Sequence, residues 1–175
     1  MAGSTENRLT AIVPAYNEAD TVAETVRSLL EQTIPPAQVV VIDDCSTDDT
    51  AEVAAAAGAT VVRPPSNTGS KAGAQMHALR DVDTELVMAV DADTTLAPDA
   101  IEKLLPALDD PEVAAACGFV LPRDVGTVWE RGRYVEYMLA FSFFKRIQDH
   151  YGKPLISSGC FSIYRTDELL SLIHI

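Results

Sequence analysis

The sequence ELVMAVDADTTLAPDA, residues 85–100, decides the fold prediction, because an apolar run ends abruptly in two aspartates. Leu86 to Val90 are all apolar, which predicts a strand that is buried on both faces. Asp91 and Asp93 follow that strand directly. In an extended chain, side chains two residues apart point to one side, so both carboxylates can reach the same cation.

A pattern of strand followed by helix repeats along most of the chain. The apolar segments that predict strands are 9–13, 38–42, 59–63, 85–90 and 113–121. The segments that predict helices are 22–30, an Ala-rich stretch ending at Gly58, 71–80, and 98–108 with Pro98 in its first turn. Continuous apolar strands alternating with helices predict an α/β fold, a mostly parallel sheet with helices on both faces.

The length of 175 residues suits one domain with a real core. We expect a single domain over 1–175, with a change of character after residue 121. The segment TDELLSLIHI resembles the first turns of a helix, so we expect the domain to continue beyond this sequence.

The overall charge excludes one class of partner. A net charge of −13 argues against nucleic-acid binding, which needs clustered Lys and Arg. Three widely spaced cysteines predict neither a zinc site nor a disulfide framework, so a reducing, cytoplasmic location is expected. The first residues lack a signal-peptide pattern, and no uncharged apolar run approaches the ~20 residues of a spanning helix.

Residues 129–151 differ from the rest of the chain because they hold seven of its 11 aromatic residues. One interpretation is a core helix that covers the sheet. The other is an amphipathic helix that meets a membrane surface or lines an acceptor groove. The sequence leaves both open.

Polar side chains follow three of the predicted strands, in PAYNE, DDCSTDD and DADTT. Ligands bind beyond the carboxyl ends of strands in open α/β sheets, so these clusters predict one site. Ser46 and Asp48 are also suitable as caps of the following helix, which leaves Asp43 and Asp44 as the ligand candidates.

Two carboxylates after a strand suit Mg²⁺ or Mn²⁺ together with a diphosphate. They also match the D-x-D-x-[TV] pattern of haloacid-dehalogenase-type phosphatases, in which the first Asp is the nucleophile. That family needs its Lys and second acidic pair later in the chain, whereas Lys71 and Asp43-Asp44 come earlier. Neither G-x-x-x-x-G-K-[ST] nor G-x-G-x-x-G occurs, which excludes the corresponding nucleotide-binding motifs.

Five motifs in order resemble the family 2 glycosyltransferases of the GT-A fold, over residues 9 to about 170. They are IVPAYNEADTV, VVVIDDCSTDDT, NTGSKAGAQMHAL, VMAVDADTTLAPDAI and SSGCFSIYRTDEL. The last motif, with YVEYMLAF before it, most resembles membrane-associated synthases of the chitin, hyaluronan and poly-N-acetylglucosamine type. The resemblance implies an inverting transferase that moves a sugar from a nucleoside diphosphate sugar, expected to be a UDP-sugar, to a glycan or lipid acceptor. It also implies that the longer parent protein associates with the inner face of a membrane.

The resemblance also implies that 9–121 form the donor-binding part and 122–175 the start of the acceptor part, and it implies roles for individual residues. Asp93 and Asp91 would hold the metal, and Lys71 would approach the diphosphate unless it is only a solvated lysine at a helix start. The nucleotide-sugar site would comprise Pro14, Tyr16, Glu18, Asp43 or Asp44, Lys71 and Asp91. The acceptor side would comprise Gly159, Cys160 and Phe161. His77 and His150 receive no role.

Some features depart from the family pattern. Cys45 stands where Gly is usual and Met76 where Asn is frequent, and the acidic motif that carries the general base would follow residue 175. Two alternatives therefore stay open. One is a polyprenyl-phosphate sugar transferase, and the other is a fragment that binds nucleotide sugars without turnover.

Overall fold

A six-stranded sheet forms the centre of the computed structural model, which describes residues 8–123, 125–151 and 160–173. Its strands are β1 Leu9–Ala15, β2 Gln38–Asp43, β3 Thr60–Val62, β4 Leu86–Val90, β5 Ala115–Cys117 and β6 Phe161–Arg165. Their order is β3-β2-β1-β4-β6-β5. The β1–β2, β1–β4 and β2–β3 pairs are parallel, and β6 runs antiparallel to β4 and β5. The prediction of a mostly parallel α/β sheet is confirmed.

Helices cover both faces of this sheet. They are α1 Val22–Leu30, α2 Thr50–Ala56, α3 Lys71–Leu79, α4 Ala100–Leu104, α5 Val128–Leu139, α6 Lys145–His150 and α7 Thr166–Ile173. Buried side chains of α1, α2 and α4 pack on one face of the sheet. Side chains of α3 and α7 pack on the other. All five residues of β4 are consequently buried, which explains its uninterrupted apolar sequence.

The antiparallel edge of the sheet differs from the prediction. The strand expected over 113–121 is limited to β5, because the chain leaves the sheet after Gly118, whose N–H donates to Phe161 O at 3.1 Å. The sequence analysis assigned no strand to the segment that forms β6. This strand lies between β4 and β5 and so connects the last described part of the chain to the sheet.

The helix expected over 98–108 is shorter and divided. It begins at Ala100, and α4 gives way to a 3₁₀ turn over Leu105–Leu108. Pro106 lacks the N–H that an α-helix would need there, which favours the tighter turn. The predicted helix in TDELLSLIHI is confirmed as α7.

The aromatic segment forms α5, a π turn over Ala140–Phe144, and α6. No residue of α5 or of the π turn is buried, and Trp129 is 89% exposed. The core-helix interpretation is therefore wrong. The physical reason is that α1, α2, α4, α3 and α7 already cover both faces of the sheet. Within the described ranges, no helix is both long and apolar enough to cross a bilayer.

Candidate functional site

A cleft of about 260 Å³ opens at the carboxyl ends of β1, β2 and β4. The chain runs outward from β1 to β3 and then returns to β4, so the cleft lies where the strand order reverses. Seven of the predicted site residues line it, namely Pro14, Tyr16, Glu18, Asp44, Lys71, Asp91 and Asp93. The fold thus brings together predicted site residues that are up to 79 positions apart in the sequence, from Pro14 to Asp93.

The two aspartates that end β2 have different positions. Asp44 lines the cleft, and its carboxylate accepts from Thr68 N at 2.7 Å and from Thr68 Oγ1 at 2.9 Å. Asp43 is fully buried outside the cleft lining, and its Oδ1 accepts from Ser46 N at 3.0 Å. Arg63 Nε lies 3.1 Å from Asp43 Oδ2, but its N–H does not point at that oxygen, which accepts no hydrogen bond in the described part of the chain. Of the two alternatives, geometry favours Asp44 for contact with a ligand.

Cys45, which stands where Gly is usual, adopts a backbone conformation that suits glycine. Its φ is +64°, a left-handed conformation that a non-glycine residue adopts at a cost of roughly 1–2 kcal/mol. The cysteine Sγ–H donates to Pro64 O at 3.6 Å. Glycine would reach the same left-handed conformation without this cost.

Hydrogen bonds of polar side chains connect the loop after β1 to the loop after β2, and both loops shape the cleft. The sequence did not predict this connection. Asn17, also left-handed with φ +56°, donates its backbone N–H to Ser46 Oγ at 2.9 Å. Its side-chain oxygen accepts from Thr47 N at 2.8 Å. The prediction that Ser46 caps α2 is therefore wrong. Its hydroxyl instead holds the loop after β1. The only sequence signal for this role was the polar character of both loops.

Asp48 does meet the start of α2, as expected of a cap, and it reaches the first loop as well. Its carboxylate accepts from Thr50 N at 3.1 Å and from Ala19 N at 3.2 Å, and the Thr50 hydroxyl also donates to it. These hydrogen bonds, led by that of the hydroxyl, hold the pKa of Asp48 below its usual value. Glu18 N donates to Thr50 Oγ1 at 2.8 Å, which fixes Glu18 at the cleft.

Lys71 is the first residue of α3, and Ser70 caps this helix by accepting from Gly73 N at 3.1 Å. The ammonium of Lys71 forms an ion pair with Asp91 Oδ1 across the cleft. The interpretation of Lys71 as a merely solvated lysine is therefore wrong. The pair places a cation beside the two aspartates of the DxD motif.

The DxD motif is a turn, not the extended segment that was expected. Thr94 N donates to Asp91 O at 3.0 Å, which closes the turn, and Thr25 Oγ1 donates to Ala92 O at 2.8 Å. Asp91 and Asp93 nevertheless both line the cleft. Among the residues that the structure describes, no three His, Cys, Asp or Glu side chains form a cluster suited to a metal.

A second cavity of about 740 Å³ shares Asp91 and Asp93 with the cleft. It is called the acceptor-side cavity below because two residues predicted for the acceptor side line it. Its other lining residues include Phe119, Arg123, Arg133, Tyr137, Cys160 and Phe161. Cys160 and Phe161 were predicted for the acceptor side, and Gly159 lies outside the described residues. The other four were not predictable from the sequence, because no local motif marks them.

Arg123 joins the far wall of this cavity to α1. It donates two hydrogen bonds to the Glu24 carboxylate, at 2.8 and 2.6 Å, and a further one to Thr95 Oγ1. These bonds hold the pKa of Glu24 below its usual value. The segment after β5 is thereby attached to α1 and to the loop that follows the DxD turn.

Comparison with known proteins gives sequence relatives that are much longer than this chain. It is 33% identical to the hyaluronan synthase of Streptococcus pyogenes, over 93% of this chain and 42% of that protein. It is 34% identical to an N-acetylglucosaminyltransferase of Mesorhizobium japonicum, over 93% of this chain and 40% of that protein. The chain therefore spans about two fifths of the length of these relatives.

A solved structure supports the fold independently of those sequences. The mannosyltransferase PcManGT of Pyrobaculum calidifontis, in complex with GDP-Man and Mn²⁺, superimposes with a TM-score of 0.72 at 28% identity, covering 94% of this chain and 46% of that one. The family description "Glycosyl transferase family 2" matches residues 10–170. With a GT-A-like sheet, the DxD turn and this match over almost its whole length, the chain belongs to glycosyl transferase family 2.

Proposed function

We propose that this chain is the donor-binding half of an inverting glycosyltransferase that takes a sugar from a nucleoside diphosphate sugar. The observation that carries the proposal is the cleft, in which Asp44, Lys71, Asp91 and Asp93 meet where the strand order reverses. One cation and three carboxylates suit a diphosphate that arrives together with a metal ion. The family membership supports the same class of reaction.

For the donor we propose a UDP-sugar. Tyr16 is 52% exposed at the cleft, so its ring is available to pack against a base. The Asp44 carboxylate accepts two hydrogen bonds from Thr68 and retains lone pairs for an N–H of the base or a hydroxyl of the ribose. The PcManGT complex holds GDP-Man, so the test below compares both nucleotides.

Asp93 and Asp91 are the residues that would hold Mg²⁺ or Mn²⁺. Two carboxylates without a third ligand fit these ions, which usually keep water molecules and take substrate phosphate oxygens. The Mn²⁺ in the PcManGT complex supports a divalent ion. When bound, the ion would neutralise charge on the diphosphate leaving group.

The residues of this chain would contribute binding, orientation and charge. Lys71 stands across the cleft, where it would donate to the diphosphate as the anomeric C–O bond breaks and negative charge grows there. The acceptor hydroxyl would approach from the acceptor-side cavity, on the other side of the DxD turn, and invert the anomeric centre. Its proton must pass to a general base, a group worth ~10²–10⁴ in rate. The resemblance to family 2 implies that this base belongs to an acidic motif that follows the segment SGCFSIYRTDEL.

Calorimetry of this chain with UDP and GDP tests the donor proposal. We expect UDP to bind in the presence of Mn²⁺ and to lose most of its affinity after EDTA is added. Asp93→Asn should abolish the Mn²⁺ dependence while leaving the fold intact by circular dichroism. Asp99→Asn is the matched control, since Asp99 lies outside the cleft lining and forms an ion pair with Lys103 of α4. UDP binding that does not depend on Mn²⁺, or the absence of UDP binding, would contradict the proposal.

The second candidate is a fragment that binds nucleotide sugars without turnover. The observation in its favour is that the chain spans 42% of the hyaluronan synthase it matches. Sugar release from a UDP-sugar, measured for this chain beside a longer form that extends past residue 175, separates the candidates. A polyprenyl phosphate in place of a glycan acceptor in the same assay tests the third alternative.

We also propose that the longer protein works in the cytoplasm at the inner face of a membrane. Support comes from the exposed aromatic and apolar side chains of the segment formed by α5, the π turn and α6. Arg131 and Arg146 on the same segment are exposed too and suit anionic lipid headgroups.

A further inference from the structure

Among the described residues, two arginines line the acceptor-side cavity, and they differ in their contacts. Arg123 is held by Glu24 and Thr95. Arg133 forms no hydrogen bond and no ion pair in the described part of the chain. In a protein of net charge −13, with 26 acidic residues, an arginine that faces a cavity and meets no carboxylate is left available for a ligand.

Arg133 shares the cavity with aromatic residues. Tyr137, one turn further along α5, lines the same cavity. The ring of Phe141, in the π turn that follows α5, lies 6.2 Å from that of Tyr137 and 5.2 Å from that of Phe119, so the end of α5 is connected through this ring to the segment after β5. Arg131, two positions earlier, lies outside the cavity lining, which means that the helix directs one arginine inward and the other elsewhere.

Arg133 lies outside the cleft at the carboxyl ends of β1, β2 and β4, which is called the donor cleft from here on. The cleft lining contains Lys71 but neither arginine, and Lys71 already stands next to Asp91. A neutral sugar acceptor would need only the aromatic faces and hydrogen-bonding groups of the cavity. A guanidinium fork instead matches a carboxylate or a phosphate with two parallel hydrogen bonds.

We propose that the acceptor carries a carboxylate or phosphate and that Arg133 binds this anionic group in the acceptor-side cavity. The inference rests on the proposed function, because it names the acceptor class of the same site. The anion would lie between Arg133 and the aromatic wall of Tyr137 and Phe119. The sugar that bears it would extend toward Asp91 and Asp93, where the anomeric carbon of the donor is expected.

Titration of three small probes tests the proposal. Glucuronate, glucose 6-phosphate and glucose are added to the chain with and without saturating UDP and Mn²⁺, and binding is followed by chemical-shift changes in NMR spectra. We expect one or both anions to bind at least about tenfold more tightly than glucose, since a hydrogen-bonded charge pair is worth that much. Whichever anion binds more tightly identifies the group as carboxylate or phosphate.

Variants assign the preference to one side chain. Arg133→Gln should reduce anion affinity to that of glucose, Arg133→Lys should restore part of it, and Arg131→Gln should keep it. Equal affinities of the wild type for all three probes, absence of anion binding, or an equal loss in Arg131→Gln would overturn the proposal. The proposed function fails by a different result, namely the absence of Mn²⁺-dependent UDP binding by the wild type. The two failures can be told apart because the preference for anions is also measured without UDP.

Discussion

The ion pair between Lys71 and Asp91 links two motifs that are 20 residues apart in sequence. Replacing Lys71 with Gln removes the cation that faces the diphosphate, so we expect Mn²⁺-dependent UDP affinity to fall about tenfold or more. Lys71→Arg, which keeps the charge, should retain most of the affinity. The side chains of the pair are 41% and 33% exposed, so the free energy of unfolding should change by less than about 1 kcal/mol.

A suitable control for this prediction is Lys103→Gln, because Lys103 pairs with Asp99 one turn away on the exposed side of α4. This variant loses the same charge far from the cleft and should bind UDP as the wild type does. Calorimetry of the three variants measures the difference. Equal loss in Lys71→Gln and Lys103→Gln would mean that the overall charge matters and not the position of Lys71.

Individual site residues were predictable where a motif places them at the end of a strand. Pro14, Asp44 and Asp93 are of this kind, because the carboxyl ends of neighbouring parallel strands must meet. Asn17 and Ser46 were not, since their contact joins loops 29 residues apart and depends on a left-handed backbone at Asn17. Sequence patterns report local geometry, whereas such contacts depend on how two loops happen to pack.

The junction of β5 and β6 sets the position of Phe161 in the acceptor-side cavity. A Cβ at Gly118 would lie 1.8 Å from the Phe161 ring, which is far inside van der Waals contact. Gly118→Ala must therefore displace the ring, at a cost of roughly 1–3 kcal/mol for overpacking. We expect lower stability in urea unfolding, together with weaker binding of acceptor-side ligands and little change in UDP binding.

Gly132 provides the matched comparison for Gly118. A Cβ at Gly132, in the middle of α5, meets nothing within 4 Å. Gly132→Ala should stabilise the protein by roughly 0.5–1 kcal/mol, because alanine favours a helix over glycine. If Gly118→Ala is as stable as the wild type, the close packing of Phe161 on Gly118 does not hold in solution.

The segment formed by α5, the π turn and α6 carries one exposed apolar stripe. The stripe consists of Val135, Leu139, Phe143, Ile147 and Tyr151, spaced by four residues and all at least 40% exposed. In a pure α-helix this spacing drifts by about 40° per step. The π turn over Ala140–Phe144 takes up about one extra residue and offsets much of that drift. The five side chains consequently stay on one side of the segment.

Binding to vesicles tests the membrane proposal through this stripe. We expect the chain to sediment with vesicles that contain anionic lipid and much less with neutral ones, since Arg131 and Arg146 lie on the same segment. Phe143→Ser should weaken binding about tenfold, because it removes an aromatic ring from the buried area. Tyr16→Ser, which alters an exposed aromatic residue at the donor cleft, should not. Equal loss in both variants, or no sedimentation, would contradict the proposal.

Elements were predictable where local pattern and burial agree. Both β4, continuous and apolar, and α1, with its apolar face, were of this kind. The pairing of β6 between β4 and β5 was not, because the place of a short antiparallel strand depends on its neighbours more than on its own sequence. The exposure of α5 depended on a property of the whole sheet, namely that other helices already cover its two faces.

The molecule as a whole places the two cavities on either side of one turn. The donor cleft and the acceptor-side cavity share Asp91 and Asp93, and the antiparallel β6 supports that turn from below, with Asp91 N donating to Cys160 O at 3.4 Å. Four of the five motifs carry the residues predicted for the cleft, and the fifth carries Cys160 and Phe161, which line the second cavity. The rest of that cavity depends on contacts such as Arg123 with Glu24, 99 residues apart, which no local motif encodes.

The pH dependence of folding follows from how acidic side chains across the whole molecule are paired. Hydrogen bonds from Arg8 lower the pKa of Glu85, and those from Arg123 lower the pKa of Glu24. A carboxyl whose pKa is lower in the folded state binds its proton more readily when the chain unfolds. Its contribution to stability is therefore complete above the ordinary carboxyl pKa of about 4 and is lost as the pH falls through the lowered value.

We accordingly expect the melting temperature to be steady between about pH 5 and 7 and to fall steeply below about pH 4. Glu85→Gln should lower the melting temperature at neutral pH, because the ion pair with Arg8 is lost. It should also make the decline at acid pH less steep, because this position no longer carries a carboxylate that can be protonated. Glu112→Gln removes one exposed carboxylate that forms no hydrogen bond and no ion pair in the described part of the chain, and it should keep the steep decline. An acid decline of the same steepness in Glu85→Gln and Glu112→Gln would show that the pairing with Arg8 and Arg165 does not stabilise the folded state, because only one of these variants removes it.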